Sequence, residues 1–143
     1  MTGRKYTYGQ LTVFSRRFGS ALVRMGFKKG EVLGMVLPNL PEFPIGLLGA
    51  ASIGMPVTPV NPTYTVEEIA RQFQLSDATV VVTIPQLAGT LRQVAELCPA
   101  IRRLIVLGNP QVGFATFGEM LQDSGDLFDQ NIDVCNFISF SSD

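Results

Sequence analysis

Histidine is absent from this 143-residue chain. That removes the Ser-His-Asp and Cys-His kinds of nucleophilic site at a stroke. Cysteine is nearly absent too: Cys98 and Cys135 stand far apart and form no CxxC pair. A disulfide framework or a zinc site is therefore not expected, and the usage suits a reducing compartment. Charge is scarce, at 16% of residues against 46% hydrophobic. The chain is too apolar for disorder, and its sparse charge suggests that part of its surface meets other protein. Acidic residues are missing altogether before Glu31, whereas seven of the eleven basic ones (Arg4, Lys5, Arg16, Arg17, Arg24, Lys28, Lys29) precede Gly30. Such a start fits a transit peptide or the solvated face of a first helix, and the helix face is the expectation. Beyond it, four basic residues meet twelve acidic ones, which argues against a nucleic-acid partner.

No uninterrupted membrane span is present. The longest uncharged run, Phe43 to Val66, is broken by Pro44, Pro56, Pro59 and Pro62 and by three glycines. A helix from Pro41 to Ile53 would be about 20 Å long, against a hydrocarbon core of about 30 Å. A short buried helix followed by a strand is the expected arrangement. Asn61-Pro62-Thr63 is no glycosylation acceptor, because proline fills the middle position.

What is present is an alternation of elements. Thr7-Tyr8-Gly9-Gln10 has capping-box spacing, and Leu11, Phe14, Phe18, Leu22 and Met25 follow on one helical stripe that Gly26 ends. Val32 to Leu37 is a continuous apolar run suited to a strand buried on both faces. Pro41 to Ile53 reads as a helix on which Gly46, Gly49 or Ala50, and Ile53 make a ridge of mostly small residues that would let it lie close against a sheet. Met55 to Val60 is a second strand. A capping box at Thr65 opens a helix with Ile69, Phe73 and Leu75 inward. Thr79 to Ile84 is a third strand, and Pro85 to Leu97 a helix carrying Leu87, Leu91, Val94 and Leu97 on one side. Ile101 to Leu107 contains a fourth strand, Thr116 to Glu119 caps a short helix, and Phe137 to Phe140 is a fifth strand. The expectation is an α/β chain, a partial parallel sheet flanked by helices, with any site along the strands' C-terminal edge.

The sequence carries little chemistry that is complete. Gly108 to Gly113 has the G-x-x-x-x-G spacing, but Phe114 and Ala115 stand where a Walker loop needs Lys and Ser or Thr. Pro56, Pro59 and Pro62 have the spacing of a polyproline ligand, yet their apolar surroundings favour a rigid strand exit. Glu67 and Glu68 fit a helix's first turn. Asp123, Asp126, Asp129 and Asp133 lack the Gly and terminal Glu of a calcium loop. No catalytic residue and no metal ligand is assigned on these grounds.

A series of short motifs carries a resemblance. Tyr6-Thr7-Tyr8, Met25-Gly26-Phe27-Lys28-Lys29-Gly30-Glu31 and Val36-Leu37-Pro38-Asn39 come first. Pro41-Glu42-Phe43, Gly49 to Gly54, Asn61-Pro62-Thr63-Tyr64-Thr65 and Glu67-Glu68 follow in order. Together, from about Thr2 to Ser142, the chain resembles the N-terminal domain of the adenylate-forming enzymes. The branch is that of 4-coumarate–CoA ligases, acyl-CoA synthetases and luciferases. Glu31 departs from the Asp usual there. Phe140-Ser141-Ser142 resembles the entry to the family's S-S-G-T-T-G-x-P-K-G phosphate loop, with Asp143 where its first Gly belongs.

The resemblance implies ATP, Mg²⁺ and CoA as the family's co-reactants and a carboxylic acid as its substrate, joined through an acyl-adenylate. It implies that residues 1–143 are an incomplete N-terminal domain, cut at the start of the phosphate loop and inactive alone. Ser141 and Ser142 would be the nucleotide-binding residues within it. The alternative is a non-catalytic interaction or regulatory module that associates with a full-length relative. An intracellular location, cytoplasmic or peroxisomal, is implied by the same resemblance.

Overall fold

A computed structural model of the chain describes residues 7–38, 40 and 42–122. The described residues gather into two compact units, 7–30, 40, 42–56 and 119–122 in one, 31–38 and 57–118 in the other.

The first unit is built on two helices. Helix α1 (Tyr8–Arg24) begins where the sequence places it, with a reciprocal cap. The Gln10 amide donates to Thr7 Oγ1 at 3.1 Å, and the Thr7 amide donates to Gln10 Oε1 at 2.9 Å. Two of the helix's first N–H groups are thereby satisfied. Phe18 and Leu22 are fully buried, while Leu11, Phe14 and Met25 are half-buried. The helix closes as expected at Gly26, whose φ of +98° turns the chain so that the Phe27 amide reaches Leu22 O.

Helix α2 (Phe43–Ser52) starts two residues after the expected point, with Pro44 in its first turn. Its small residues do allow a close approach, but the neighbour they meet is α1. A Cβ on Gly49 would lie 2.7 Å from Ser15 O, and one on Gly19 would lie 2.7 Å from Gly49 O. Glycine on both helices lets the two backbones touch.

The second unit holds a five-stranded sheet, all parallel, in the order β2-β1-β3-β4-β5. Its strands are β1 (Val32–Val36), β2 (Val57–Pro59), β3 (Ala78–Thr83), β4 (Arg103–Val106) and β5 (Ala115–Thr116). Helix α3 (Val66–Ser76) links β2 to β3, and a 3₁₀ turn (Pro85–Leu87) with helix α4 (Ala88–Leu97) links β3 to β4. Both helices pack on one core, where Ile69, Ala70, Phe73, Leu91, Val94 and Cys98 meet Val36, Val81 and Leu104. Each large apolar side chain buried there contributes roughly 1.5–3 kcal/mol. The alternate strand residues Leu33, Met35, Val80, Val82 and Ile105 are equally inaccessible. The central strands β1, β3 and β4 are thus buried on both faces, as their apolar runs require, whereas β2 and β5 at the margins are only partly covered.

Three expectations need correction. Leu75 is 75% exposed and Leu97 is 47% exposed, so neither points inward. Cys98, rather than Leu97, continues the buried side of α4. Strand β5 was not anticipated, because two residues leave no periodic trace. The expected strand at Phe137 to Phe140 lies outside the described residues.

A short helix α5 (Phe117–Met120) follows β5. No helix among the described residues is long and apolar enough to cross a membrane.

Candidate functional site

The strand order contains one reversal. From β1 the chain moves outward to β2, then crosses back past β1 to β3 and continues to β4 and β5. In open parallel sheets ligands favour the crevice beyond the carboxyl ends of the strands, where the order reverses. Here that point lies between β1 and β3.

A buried threonine ties the two strands together at that point. Thr83, the last residue of β3, pairs with Val36, the last of β1. Its side chain is fully buried, and Oγ1 donates to Val36 O at 3.0 Å. On the other side, Thr83 O accepts from the Leu107 amide just beyond β4, at 2.9 Å. One residue therefore fixes the exits of three strands. Its sequence signal was weak: a threonine after three valines looks like another strand residue.

The loops leaving this edge are stiff. Proline follows four of the five strand ends, at Pro38, Pro62, Pro85 and Pro110. The Asn61 side chain accepts from both the amide and the hydroxyl of Thr63, at 2.9 and 2.7 Å, which closes the turn after β2. The P-x-x-P stretch is accounted for in the same way. Pro59 ends the sheet's outer strand, and the segment serves as a strand exit.

Gly108 to Gly113 lies on this edge, immediately after β4. Both glycines hold φ of +85°, which other residues rarely adopt. The loop's partner is α4: Arg92 Nη2 donates to Val112 O at 2.9 Å, and the guanidinium lies 5.3 Å from the Phe114 ring centroid. Nothing in the sequence pattern pairs Arg92 with a loop twenty residues away.

The acidic candidates are structural where they are described. Glu68 accepts from the Thr65 amide at 2.8 Å and completes the capping box of α3. Glu31 pairs with Arg102 at 2.6 Å, joining the approach to β1 to the approach to β4. No group of three His, Cys, Asp or Glu among the described residues could hold a metal ion. Asp123, Asp126, Asp129 and Asp133 lie outside the described residues. So do Ser141 and Ser142.

Cys98 is inert by placement. It is buried, its Sγ lies 3.4 Å from Ala70 O, and desolvation pushes its thiol above the ordinary value. At neutral pH it stays protonated and a poor nucleophile.

The family model described as AMP-binding enzyme matches residues 1–130. The chain is 37% identical over 95 residues to 4-coumarate–CoA ligase 3 of Arabidopsis thaliana, covering 66% of this chain and 17% of that protein. It is 45% identical over 82 residues to 4-coumarate–CoA ligase 3 of Oryza sativa subsp. japonica, covering 57% of this chain and 15% of the relative. Among solved structures, the anthranilate CoA ligase AuaEII in complex with anthranoyl-AMP superposes with a TM-score of 0.80 at 20% identity. That match covers 85% of this chain and 24% of that one, and at such identity it shows the shared fold. A benzoate CoA ligase from Burkholderia xenovorans LB400 gives a TM-score of 0.72 at 28% identity, over 81% of this chain and 23% of that one. The chain spans less than a quarter of the length of the curated relatives it matches.

Proposed function

This chain belongs to the AMP-binding enzyme family, and from that premise we propose that it is the N-terminal scaffold of an acid–CoA ligase of the 4-coumarate–CoA ligase kind. The reaction assigned to the whole protein has two steps. A carboxylate attacks the α-phosphate of ATP and releases pyrophosphate to give an acyl-adenylate; the thiol of CoA then displaces AMP and forms the thioester. The observation that carries this reading is the family match over residues 1–130, joined to the identity with 4-coumarate–CoA ligases.

Residues 1–143 are assigned the opening part of that protein's nucleotide-binding domain, and Ser141 and Ser142 the entrance to its phosphate loop. The described residues act as scaffold. They bring no cluster of carboxylates for Mg²⁺, and Phe114 follows the Gly108–Gly113 loop where a phosphate-binding lysine would stand. No step of the chemistry is therefore routed through them. What they supply is a rigid row of strand ends, tied by Thr83, against which the rest of a site can be held.

Two measurements test the proposal. The chain alone, given ATP, Mg²⁺, CoA and a panel of aromatic and fatty acids, is expected to form no AMP; acid-dependent AMP above a protein-free blank refutes the inactivity. Residues 1–130 are then exchanged for the matching stretch of the rice 4-coumarate–CoA ligase 3. A folded chimaera that still forms the thioester supports the scaffold assignment, and a folded but dead one overturns it. A stable complex between this chain and a full-length ligase on gel filtration would favour the non-catalytic pairing instead.

A further inference from the structure

Charge is segregated along the sequence: no acidic residue precedes Glu31, and no basic residue follows Arg103. Helix α1 therefore has cations but no carboxylate of its own, and no i,i+4 ion pair can form along it. Arg16 and Arg24 are exposed, as are Lys28 and Lys29 just beyond the helix, while Arg17 is half-buried. Against these five basic side chains, the described residues of the first unit hold two acidic ones, Glu42 and Glu119. Glu42 is buried at the start of α2.

One contact brings the opposite charge to this helix. Arg17 Nη1 donates to Leu121 O at 3.2 Å, just past α5. Beyond Gln122, outside the described residues, the sequence holds Asp123, Asp126, Asp129 and Asp133 and no Lys or Arg. An acidic stretch thus starts from a point already fastened to the basic helix. The spacings agree as well. Arg17 and Arg24 stand two turns apart on one stripe, about 10 Å along the axis, and an extended chain sets residues three apart at about 10 Å.

We propose that the basic side of α1 is the seat of the chain's own acidic segment, Asp123 to Asp133, which runs from the Arg17–Leu121 contact toward Arg24, Lys28 and Lys29. Each surface ion pair is weak and screened by salt. Anchoring at Leu121 makes the pairing intramolecular, so several weak pairs act together at high effective concentration. The seated segment neutralises the basic side of the helix and keeps it from anionic membranes and polynucleotides. The seat is independent of the ligase assignment, since it needs only the segregated charge and the Arg17 contact.

Carbodiimide coupling on the chain itself tests this, because it joins a lysine amine to a carboxylate it touches, with loss of water. Mass spectrometry of the monomer band is expected to find links from Lys28 or Lys29 to Asp126, Asp129 or Asp133. They should fall several-fold at about 1 M salt, where the screening length is about 3 Å. Arg16→Gln combined with Arg24→Gln leaves both lysines in place and should lower the same links about threefold. The quadruple variant Asp123→Asn, Asp126→Asn, Asp129→Asn, Asp133→Asn should let trypsin cut after Lys28 or Lys29 about threefold faster, with cutting after Arg71 unchanged. Links that go instead to Glu67 or Glu68, links insensitive to salt, or unchanged cutting in the quadruple variant overturn the proposal. An equal rise after Arg71 would mean general loosening and overturns it too. Links in the dimer band alone would give the seat to a second copy, and wild-type chain floating with phosphatidylserine vesicles would give it to a membrane; each overturns the proposal.

Discussion

Gly34 and Phe73 occupy one volume between them: a Cβ on Gly34 would sit against the edge of the Phe73 ring, 2.7 Å from Cζ. Strand β1 therefore gives up a side chain at its centre so that α3 can seat a fully buried phenyl group on it. A ring enclosed on all sides cannot move aside without disturbing its neighbours.

Gly34→Ala is expected to destabilise the chain by about 2–3 kcal/mol through overpacking, read as a lower urea midpoint. Phe73→Leu removes the offending edge. Because the two sites share one space, the double variant should be more stable than the sum of the singles allows. Strict additivity in the melts would show that the clash is not the cause.

Two glycines of α1 should respond in opposite directions to the same change. Gly19 faces backbone, with Gly49 O 2.7 Å from its Cβ position, whereas Gly9 has nothing within 4 Å. Gly19→Ala must push the helices apart and is expected to lower the melting temperature clearly. Gly9→Ala only stiffens an exposed helical turn, and should raise stability by about 0.5–1 kcal/mol. A loss at Gly9 as large as that at Gly19 would contradict the geometry.

Burial of Cys98 sets a pH dependence. Its thiol is pushed up in the folded chain by desolvation, so the folded state holds the proton more tightly than the unfolded one. The contribution is complete below the unfolded thiol's value, about 8.5, and fades as pH rises through the higher folded value. Cys98→Ala lacks it. The gap between wild type and variant in melting temperature should therefore shrink from pH 7.5 to pH 10, other groups cancelling in the comparison. A constant gap would show that the thiol does not titrate differently on folding.

The cap of α3 and the tie at Thr83 differ in depth, and their loss should differ with it. Thr65→Ala removes an exposed acceptor from the Glu68 amide, and is expected to cost about 1 kcal/mol. Thr83→Val keeps the shape but withdraws a buried hydroxyl from Val36 O, and should cost about 1–3 kcal/mol. Thr83→Ser keeps the hydroxyl and drops only the methyl, and should be the milder of the two in denaturant titrations; a Thr83→Val variant as stable as wild type would show that the bond to Val36 O contributes nothing.

Local chemistry was the legible part of this fold. The caps at Thr7 and Thr65 are closed by residues three positions on, so their spacing alone announces them. The both-sided burial of β1 and β3 follows from runs without a polar break. Helix faces were legible only where the angle was respected. Leu75 lies two residues past Phe73, half a turn away, and faces solvent. Leu97 sits a quarter-turn off the line of Leu91 and Val94, where Cys98 falls on it. Contacts between distant elements, such as Arg92 with Val112 or Thr83 with Val36, leave no mark on either partner's neighbourhood. The expected nucleotide contacts at Ser141 and Ser142 rest on family resemblance alone, and the described residues around the strand ends carry no comparable signature.

The interior place of β1 has a consequence for synthesis. Its lateral partner at Thr83 is made forty-seven residues after Val36. At ribosomal speeds of about 5–20 residues per second, one flank of a wholly apolar ribbon stays unmatched for roughly 2–10 seconds. During that wait the growing polypeptide presents an apolar segment to solvent, which makes it a natural client for a chaperone stationed at the exit tunnel.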